Sequence, residues 1–180
     1  MDKVLTHFKN NFAIYAVLLV CLLVIAIALI FSGEKEEKVD IDTSMFDVVD
    51  IDEALALFEK DDVSFLVIST NNCSATAGYV PYLQVALAQY GFRVKYFDFT
   101  DMDLKSEKMQ KLISKLDVDY ELYGKKATFG EFMGATPMTV IIKNKKMVFG
   151  NIGSMSNTAI GALANNYGFN YNGYKEKEFE

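Results

Sequence analysis

The most apolar part of the chain is residues 12–31, FAIYAVLLVCLLVIAIALIF, a run of twenty residues without a charge. A helix of that length extends about 30 Å, at about 1.5 Å per residue, which matches the hydrocarbon core of a bilayer. A cleaved signal peptide is the alternative, but the small-x-small sequence Ala26-Ile-Ala28 lies inside the apolar run rather than after it. The pattern therefore predicts one transmembrane helix that holds the chain in the membrane lipid bilayer.

Short apolar runs alternate with amphipathic segments in the rest of the chain. Residues 63–68 form a continuous hydrophobic run, which is typical of a strand buried on both faces. Residues 74–90 have a helical pattern that contains Pro81 and ends at Gly91. Further strands are predicted at 45–49, 93–99, 138–142 and 147–149, and further helices after the capping-box-like residues 50–53, at 104–116 and at 156–166. The order β-α-β-α-β-α-β-β-α predicts an α/β sandwich with a mixed central sheet.

These patterns also predict the domain organisation. We expect a cytoplasmic head at 1–11, the transmembrane anchor at 12–31, a polar linker at 32–44, one domain at 45–169 and a polar tail at 170–180. Lysines flank the anchor on both sides, so the positive-inside rule does not choose an orientation. The short head favours an amino end in the cytoplasm. This predicts a single-pass protein of the cell membrane with its domain outside the cytoplasm.

Composition narrows the chemistry that the domain can perform. The net charge is −6 and the only arginine is Arg93, so no basic surface for nucleic acid is expected. The only histidine, His7, precedes the anchor, which removes Cys-His and Ser-His-Asp sites and most zinc sites from the domain. The chain has two cysteines, Cys21 in the anchor and Cys73 in the domain. We therefore expect no metal, no small cofactor and no disulfide within the domain.

The residues around Cys73 resemble the active site of the thioredoxin family, and the resemblance covers the predicted domain. Cys73 follows the buried strand and Pro81 lies eight residues later, as the first cysteine and the helix proline do in that family. Thr136-Pro137 matches the family's cis-proline, and Gly153 matches the glycine after the last strand. The resemblance implies a thioredoxin-like three-layer sandwich. With its anchor, the chain is similar to bacterial thioredoxin-domain proteins of the membrane.

Three positions depart from the family's active site. The motif Cys73-Ser-Ala-Thr76 is CxxT, with a threonine where the family has its resolving cysteine. Asn72 replaces the tryptophan before the first cysteine, and Val67 replaces the buried carboxylate that takes part in proton transfer. A hydroxyl group cannot resolve a mixed disulfide. The family's ordinary dithiol cycle is therefore closed to this chain, and the site is degenerate.

The chain is also longer than the family between the third strand and the cis-proline. The additional residues lie within 101–133 and include the aromatic and polar sequence DYELYGKKATFGEF. Two interpretations remain open: a loop over the active-site face, or an insertion packed elsewhere on the domain.

Two functions are compatible with the degenerate site. The first is a redox-degenerate binding or accessory module for exported or membrane proteins. The alternative is a monothiol disulfide exchanger or isomerase, in which Cys73 is the nucleophile, Thr76 a hydrogen-bonding neighbour and an external thiol resolves the mixed disulfide. In both, Thr136, Pro137 and Tyr79 are candidate substrate-binding residues, and the client is a cysteine-containing or unfolded exported protein. A third interpretation makes Cys73 a small packing residue without a reaction.

Overall fold

The computed structural model describes Cys21 and residues 39–169. The predicted head, nearly all of the predicted anchor at 12–31, most of the linker and the tail therefore lie outside the described residues. Cys21 itself has helical backbone and an exposed side chain. In the part of the chain that is described, no helix is long and apolar enough to cross a membrane.

Seven strands and four α-helices make up residues 39–169. The strands are β1 (Asp47–Val49), β2 (Val63–Ser69), β3 (Val94–Asp98), β4 (Asp119–Leu122), β5 (Lys125–Thr128), β6 (Met138–Lys143) and β7 (Lys146–Ile152). The helices are α1 (Ile51–Ala56), α2 (Ser74–Tyr90), α3 (Glu107–Lys115) and α4 (Asn157–Tyr167), and short 3₁₀ turns lie at Leu57–Glu59 and Phe129–Phe132.

The central sheet has five strands in the order β1-β3-β2-β6-β7. Strands β1 and β2 both run parallel to β3, whereas β6 is antiparallel to β2 and to β7. In the middle of the sheet Val67 pairs with Tyr96 of β3 on one side and with Thr139 of β6 on the other. The prediction of an α/β fold with a mixed central sheet is confirmed.

Local sequence signals fix several ends of these elements. Asp50 and Glu53 form the predicted capping box at the start of α1, each accepting the other's backbone N–H at 2.8 and 3.0 Å. Helix α2 ends at Gly91, whose φ of 68° lies in the left-handed region that glycine adopts without steric cost. Ser156 caps α4 by accepting the backbone N–H of Ala159.

The core divides between the two faces of the sheet. Strand β2 shows the division, because Phe65 and Val67 pack with α2 and α4, whereas Leu66 and Ile68 pack with α1 and α3. All four side chains are buried. Each such burial contributes about 1.5–3 kcal/mol to stability, so β2 holds both helix layers to the sheet. The domain is thus a sandwich of helices, sheet and helices.

The segment between β3 and β6 contains a hairpin that the sequence pattern did not predict. Strands β4 and β5 pair antiparallel, and Tyr123 and Gly124 at the turn have φ values of 50° and 80°. Phe129, which follows β5, is fully buried among side chains of the α1 and α3 face. The Tyr120 hydroxyl accepts the backbone N–H of Ile152 at 3.1 Å. The insertion therefore packs on this face of the core and along the β7 edge.

Candidate functional site

Cys73 lies where β2 ends and α2 begins. Its backbone is extended, with φ −85° and ψ 109°, and its carbonyl accepts the N–H groups of Thr76 and Ala77, each at 3.1 Å. It is therefore the N-cap residue of a helix of 17 residues. The amino end of such a helix carries a partial positive charge, which favours a negative charge on the Cys73 sulfur.

The loop before Cys73 is fixed to the end of β3. The backbone N–H of Asn71 donates to the Thr100 hydroxyl at 2.7 Å, and that hydroxyl donates to the Asp98 carboxylate at 2.5 Å. Asn72, where the family has its tryptophan, is exposed. The loop therefore has a fixed attachment but offers no aromatic surface beside the thiol.

The loop before β6 covers one side of the thiol. The peptide bond between Thr136 and Pro137 is cis, as the sequence resemblance implied. The Cys73 thiol donates to the Thr136 carbonyl oxygen over 3.6 Å. The Pro137 carbonyl accepts the backbone N–H of Gly153 at 2.8 Å, which links this loop to the end of β7. The structure thus brings together the predicted residues Cys73, Thr136 and Pro137.

Opposing effects act on the pKa of the Cys73 thiol. Its partial burial raises the pKa, because burial disfavours the charged form. Hydrogen bonds from the side chains of Thr136 and Thr76, and from backbone N–H groups in the first turn of α2, favour the thiolate and outweigh burial. The net result is a pKa below the ordinary value for cysteine. Cys73 is thus more readily ionised than a free cysteine, and its side chain is partly exposed.

Neutral hydroxyl groups lie behind the thiol. Thr76 is fully buried, and its Oγ1 lies 2.5 Å from Oγ of the buried Ser69. Ser69 also donates to the Thr70 carbonyl oxygen at 3.3 Å. Val67, at the position of the family's carboxylate, is fully buried. Among residues 39–169 the buried polar side chains, apart from the tyrosines, are serines and threonines. No buried carboxylate is therefore available there to move a proton.

Tyr79 does not belong to the accessible site, which corrects the prediction that it contacts a substrate. Its side chain has no exposed surface, and its hydroxyl lies 3.1 Å from Oγ1 of Thr139 in β6. Burial raises the pKa of Tyr79 to about 12, so the hydroxyl stays neutral. Tyr79 lies on the side of α2 that packs against the sheet. Tyr82 on the same helix is half exposed.

Tyr96 of β3 is a residue of this region that the sequence reasoning missed. Its side chain is 3% exposed and stacks on Phe46, with ring centroids 6.0 Å apart. Its hydroxyl has no hydrogen-bond partner in the described residues. Burial raises the pKa of Tyr96 to about 12, and the Ser69 hydroxyl beside it opposes that rise. The sequence could have placed Tyr96 in this region only if the register of β3 against β2, in which Tyr96 pairs with Val67, had been known.

The arrangement supports thiol chemistry and offers little for a metal. No group of three or more His, Cys, Asp or Glu side chains in Cys21 and residues 39–169 is placed to hold a metal ion. The site consists of one activated thiol, one adjacent backbone carbonyl and neutral hydroxyl groups. Attack on a disulfide sulfur needs only the thiol, in its ionised form.

Comparison with solved structures finds thioredoxins, each at low identity and with a TM-score below 0.5. The structure of Plasmodium falciparum thioredoxin matches with a TM-score of 0.45 and 13% identity, over 67% of this chain and 98% of that one. Mitochondrial thioredoxin 3 from Saccharomyces cerevisiae matches with a TM-score of 0.46 and 16% identity, over 69% and 96% of the two chains. Thioredoxin from Aeropyrum pernix matches with a TM-score of 0.46 and 14% identity, over 66% and 83%.

At these identities and TM-scores the likeness assigns neither a family nor an activity. No protein-family profile matches the sequence, and no curated protein matches it either. What the domain does must therefore be argued from its own residues.

Proposed function

We propose that the thioredoxin-like domain acts as a monothiol exchanger, in which Cys73 forms mixed disulfides with client proteins. The observation that carries the proposal is the position of the sulfur. It is partly exposed at the N-cap of α2, and its pKa is lowered. These are the properties of a reactive cysteine, whereas a packing cysteine is buried in apolar surroundings and inert.

The reaction is an exchange of sulfur partners without a net change in oxidation. The Cys73 thiolate attacks one sulfur of a client disulfide, a new bond joins the two sulfurs, and the client's second sulfur leaves as a thiolate that takes a proton from water. An external thiolate, or the client's own, then attacks the client sulfur of the mixed disulfide. That step releases the Cys73 thiolate and completes the cycle.

The resolving thiol comes from outside the domain in this proposal. Thr76 occupies the resolving position of the motif, and its hydroxyl is buried against Ser69. The sequence has no other cysteine after residue 73. The protein is therefore not a dithiol oxidoreductase in this proposal, and its redox role depends on a small thiol or on a second cysteine of the client.

Thr136 and Pro137 are proposed to guide the client's backbone. In the free domain the Thr136 carbonyl accepts from the Cys73 thiol. When Cys73 becomes a mixed disulfide it has no S–H to donate, so this carbonyl is left to accept an N–H from the client. The carbonyl is freed when Cys73 ionises, and it stays free in the mixed disulfide.

The proposed setting follows from the sequence. The anchor predicted at 12–31 would hold the domain at the outer side of the cell membrane, where disulfides persist. Clients would then be cysteine-containing exported or membrane proteins in the course of folding.

A second candidate function is a redox-degenerate binding module that holds such clients without covalent exchange. The observation that favours it is the absence of an ionisable acid behind Cys73, where Val67 stands. In this case Cys73 would be dispensable and the loop at Thr136 and Pro137 would carry the interaction.

Trapping of mixed disulfides in membranes separates the two candidates. Full-length chains carrying no change, Cys21→Ser, Cys73→Ser or Pro137→Ala are expressed, mildly oxidised and compared on non-reducing gels. The exchanger predicts reductant-sensitive adducts with the unchanged chain and with Cys21→Ser, and none with Cys73→Ser. Equal adducts from Cys73→Ser, or no adducts from any chain, would refute it. The binding module predicts clients that co-purify with Cys73→Ser but not with Pro137→Ala.

A further inference from the structure

We propose that a small cavity at the starts of β2 and β3, lined by Lys60, Ser64, Arg93 and Lys95, binds the phosphate group of an anionic ligand. The cavity has a volume of about 150 Å³. It is a second site, and the proposal does not depend on the exchange reaction proposed for Cys73.

The strands place this cavity far from the thiol. Val63, Ser64 and Phe65, the first residues of β2, line it, whereas Cys73 follows Ser69, the last residue of that strand. A strand rises about 3.3 Å per residue, so the positions of Ser64 and Ser69 lie roughly 17 Å apart along β2. Because β2 and β3 are parallel, their starts meet at the same end of the sheet. The cavity and the thiol therefore lie at opposite ends.

The charged groups around the cavity leave an excess of positive charge. Lys60, Arg93 and Lys95 line it, and among residues 39–169 the carboxylate in the lining is that of Asp62. Asp47 of β1 accepts from Arg93 at 2.8 Å and from Lys95 at 2.9 Å. Three cations and two carboxylates leave one positive charge, in a chain whose net charge is −6. An anion of about one charge would neutralise this end of the sheet.

The buried hydroxyl of Ser64 is the observation that points to a ligand. Ser64 is the only polar residue between Val63 and Ile68 in β2. It is 8% exposed and lines the cavity, and no hydrogen bond joins its hydroxyl to another of the residues 39–169. A buried hydroxyl without a partner lowers stability, and an alanine would avoid that cost. A ligand oxygen in the cavity would supply the partner.

The lining offers more hydrogen-bond donors than acceptors. Arg93 has five N–H donors and Lys95 has three, and Asp47 accepts one from each. Lys60 forms no ion pair within residues 39–169, and Ser64 can donate its hydroxyl proton. The ligand group should therefore present acceptors rather than donors. Phosphate oxygens meet this requirement, and they accept charge-assisted bonds from arginine and lysine.

The size and the walls of the cavity suit one phosphate group. A water molecule takes about 30 Å³ in the liquid, so the cavity has room for about five waters, or for the five heavy atoms of a phosphate group. Tetrahedral oxygens can meet donors from the residues before β2, from β2 and from β3, whereas a carboxylate offers two oxygens in one plane. Leu57, Phe65 and Phe169 complete the lining. Apolar walls lower the local dielectric and strengthen the charge interactions.

Two sources of a phosphate group fit this chemistry. One is the phosphodiester of a lipid headgroup, and the other is inorganic phosphate. With a lipid headgroup in the cavity, the Cys73 end of the sheet would point away from the bilayer and stay accessible to clients.

The test measures the binding of two soluble probes to the full-length chain in an uncharged detergent. Inorganic phosphate and glycerophosphoglycerol, the headgroup of phosphatidylglycerol, are titrated separately at constant ionic strength, and the melting temperature is recorded. A site predicts a saturable rise of about 3–6 °C at a tenfold excess of probe over its Kd. Exclusion of phosphate from the protein surface would also raise the melting temperature, but without saturation.

Two cavity variants and a matched control locate the binding. Ser64→Ala and Arg93→Gln each remove a proposed donor, and Lys108→Gln removes a cation outside the cavity. Lys108 is 57% exposed and pairs with Asp52, much as Arg93 is 53% exposed and pairs with Asp47. Each cavity variant should weaken binding by about tenfold, as expected for a hydrogen bond to a charged group. The control should bind as the unchanged chain does. Without the probes, Ser64→Ala should not melt earlier than the unchanged chain, because no hydrogen bond is lost.

Each outcome decides the proposal. Tighter binding of glycerophosphoglycerol would support it with a lipid headgroup as the source, and tighter binding of inorganic phosphate would support it with the ion as the source. The absence of a saturable rise with either probe, or an equal loss in Lys108→Gln, would overturn it. Binding that appears only after removal of residues 170–180 would also overturn it, since the glutamates that follow Phe169 in the sequence would then be the occupant.

Discussion

Replacing Val67 with aspartate places a carboxyl group where the thioredoxin family has one and tests why this chain has none. Val67 is fully buried in the central strand, between Tyr96 of β3 and Thr139 of β6. No lysine or arginine is among the buried side chains of residues 39–169, so the new carboxyl would find no opposite charge in the core. Desolvation should therefore raise its pKa in the folded state.

The magnitude follows from proton linkage. Desolvation raises buried carboxyl pKa values by about three to five units, and we take three because the unpartnered Tyr96 hydroxyl offers a donor. Between the unfolded pKa of about 3.9 and the raised folded pKa of about 7, the folded state binds the additional proton. Stability therefore falls as pH rises through this window, by about 1.4 kcal/mol per unit. At pH 7 the loss reaches about 4 kcal/mol, beyond a pH-independent loss of about 1–3 kcal/mol for burying a polar group.

Thermal or urea unfolding between pH 4 and 8 measures this loss, with Val67→Asn as the matched control. The asparagine has nearly the same shape and cannot ionise, so its destabilisation should not vary with pH relative to the unchanged chain. The aspartate variant should approach the asparagine variant at pH 4 and fall below it as pH rises. Equal pH dependence for the two variants would refute the reasoning, since it would mean that position 67 can hold a charge.

Three further predictions concern packing and titration. Gly130→Ala should lower stability by about 1–3 kcal/mol, because the added Cβ would collide with the Ile113 backbone. Gly78→Ala in α2, where the added Cβ meets open space, should instead raise the melting temperature. Equal effects of the two substitutions in thermal melts would contradict this. Tyr120→Phe should cost about 1 kcal/mol in urea unfolding, because the β7 amide at position 152 loses its acceptor, and no change would mean that water replaces it. Folding lowers the pKa of Cys73, so the thiolate stabilises the folded state. This stability is complete above the pKa of the unfolded chain, and it is lost as pH falls through the pKa of the folded chain. The melting temperature of the Cys21→Ser chain relative to the same chain with Cys73→Ser should therefore be higher at pH 9.5 than at pH 6, and a constant difference would contradict the lowered pKa.

The elements that the sequence predicted well are those with strong local signals. Helix α2 has the predicted bounds, because the glycine that ends it after Tyr90 is visible in the sequence. The β4–β5 hairpin was missed because DYEL and KKAT contain few apolar residues. Its position depends on contacts with distant residues, such as the hydrogen bond from the Ile152 amide to the Tyr120 hydroxyl at 3.1 Å.

The candidate site was predictable only where a motif marks it. Cys73 and Thr136-Pro137 have fixed spacings from strands and helices, so the sequence could place them together. Ser69 and Tyr96 have no motif, and their relation to the thiol depends on the register of β3 against β2 and on the rotation of side chains. The same limit explains Tyr79, since periodicity gives the face of a helix but not the depth of burial.

In the proposed exchange cycle, a lowered thiol pKa also explains how one cysteine can suffice. A thiolate of low pKa attacks more slowly per molecule, but more of it is present at neutral pH, so formation of the mixed disulfide changes little. The rate of release changes more. In that step an external thiolate attacks the client sulfur, and Cys73 is the leaving group. A sulfur stabilised by the α2 N-terminus and by hydroxyl donors leaves faster. The features that lower the Cys73 pKa therefore favour turnover most in the step for which the domain has no thiol of its own.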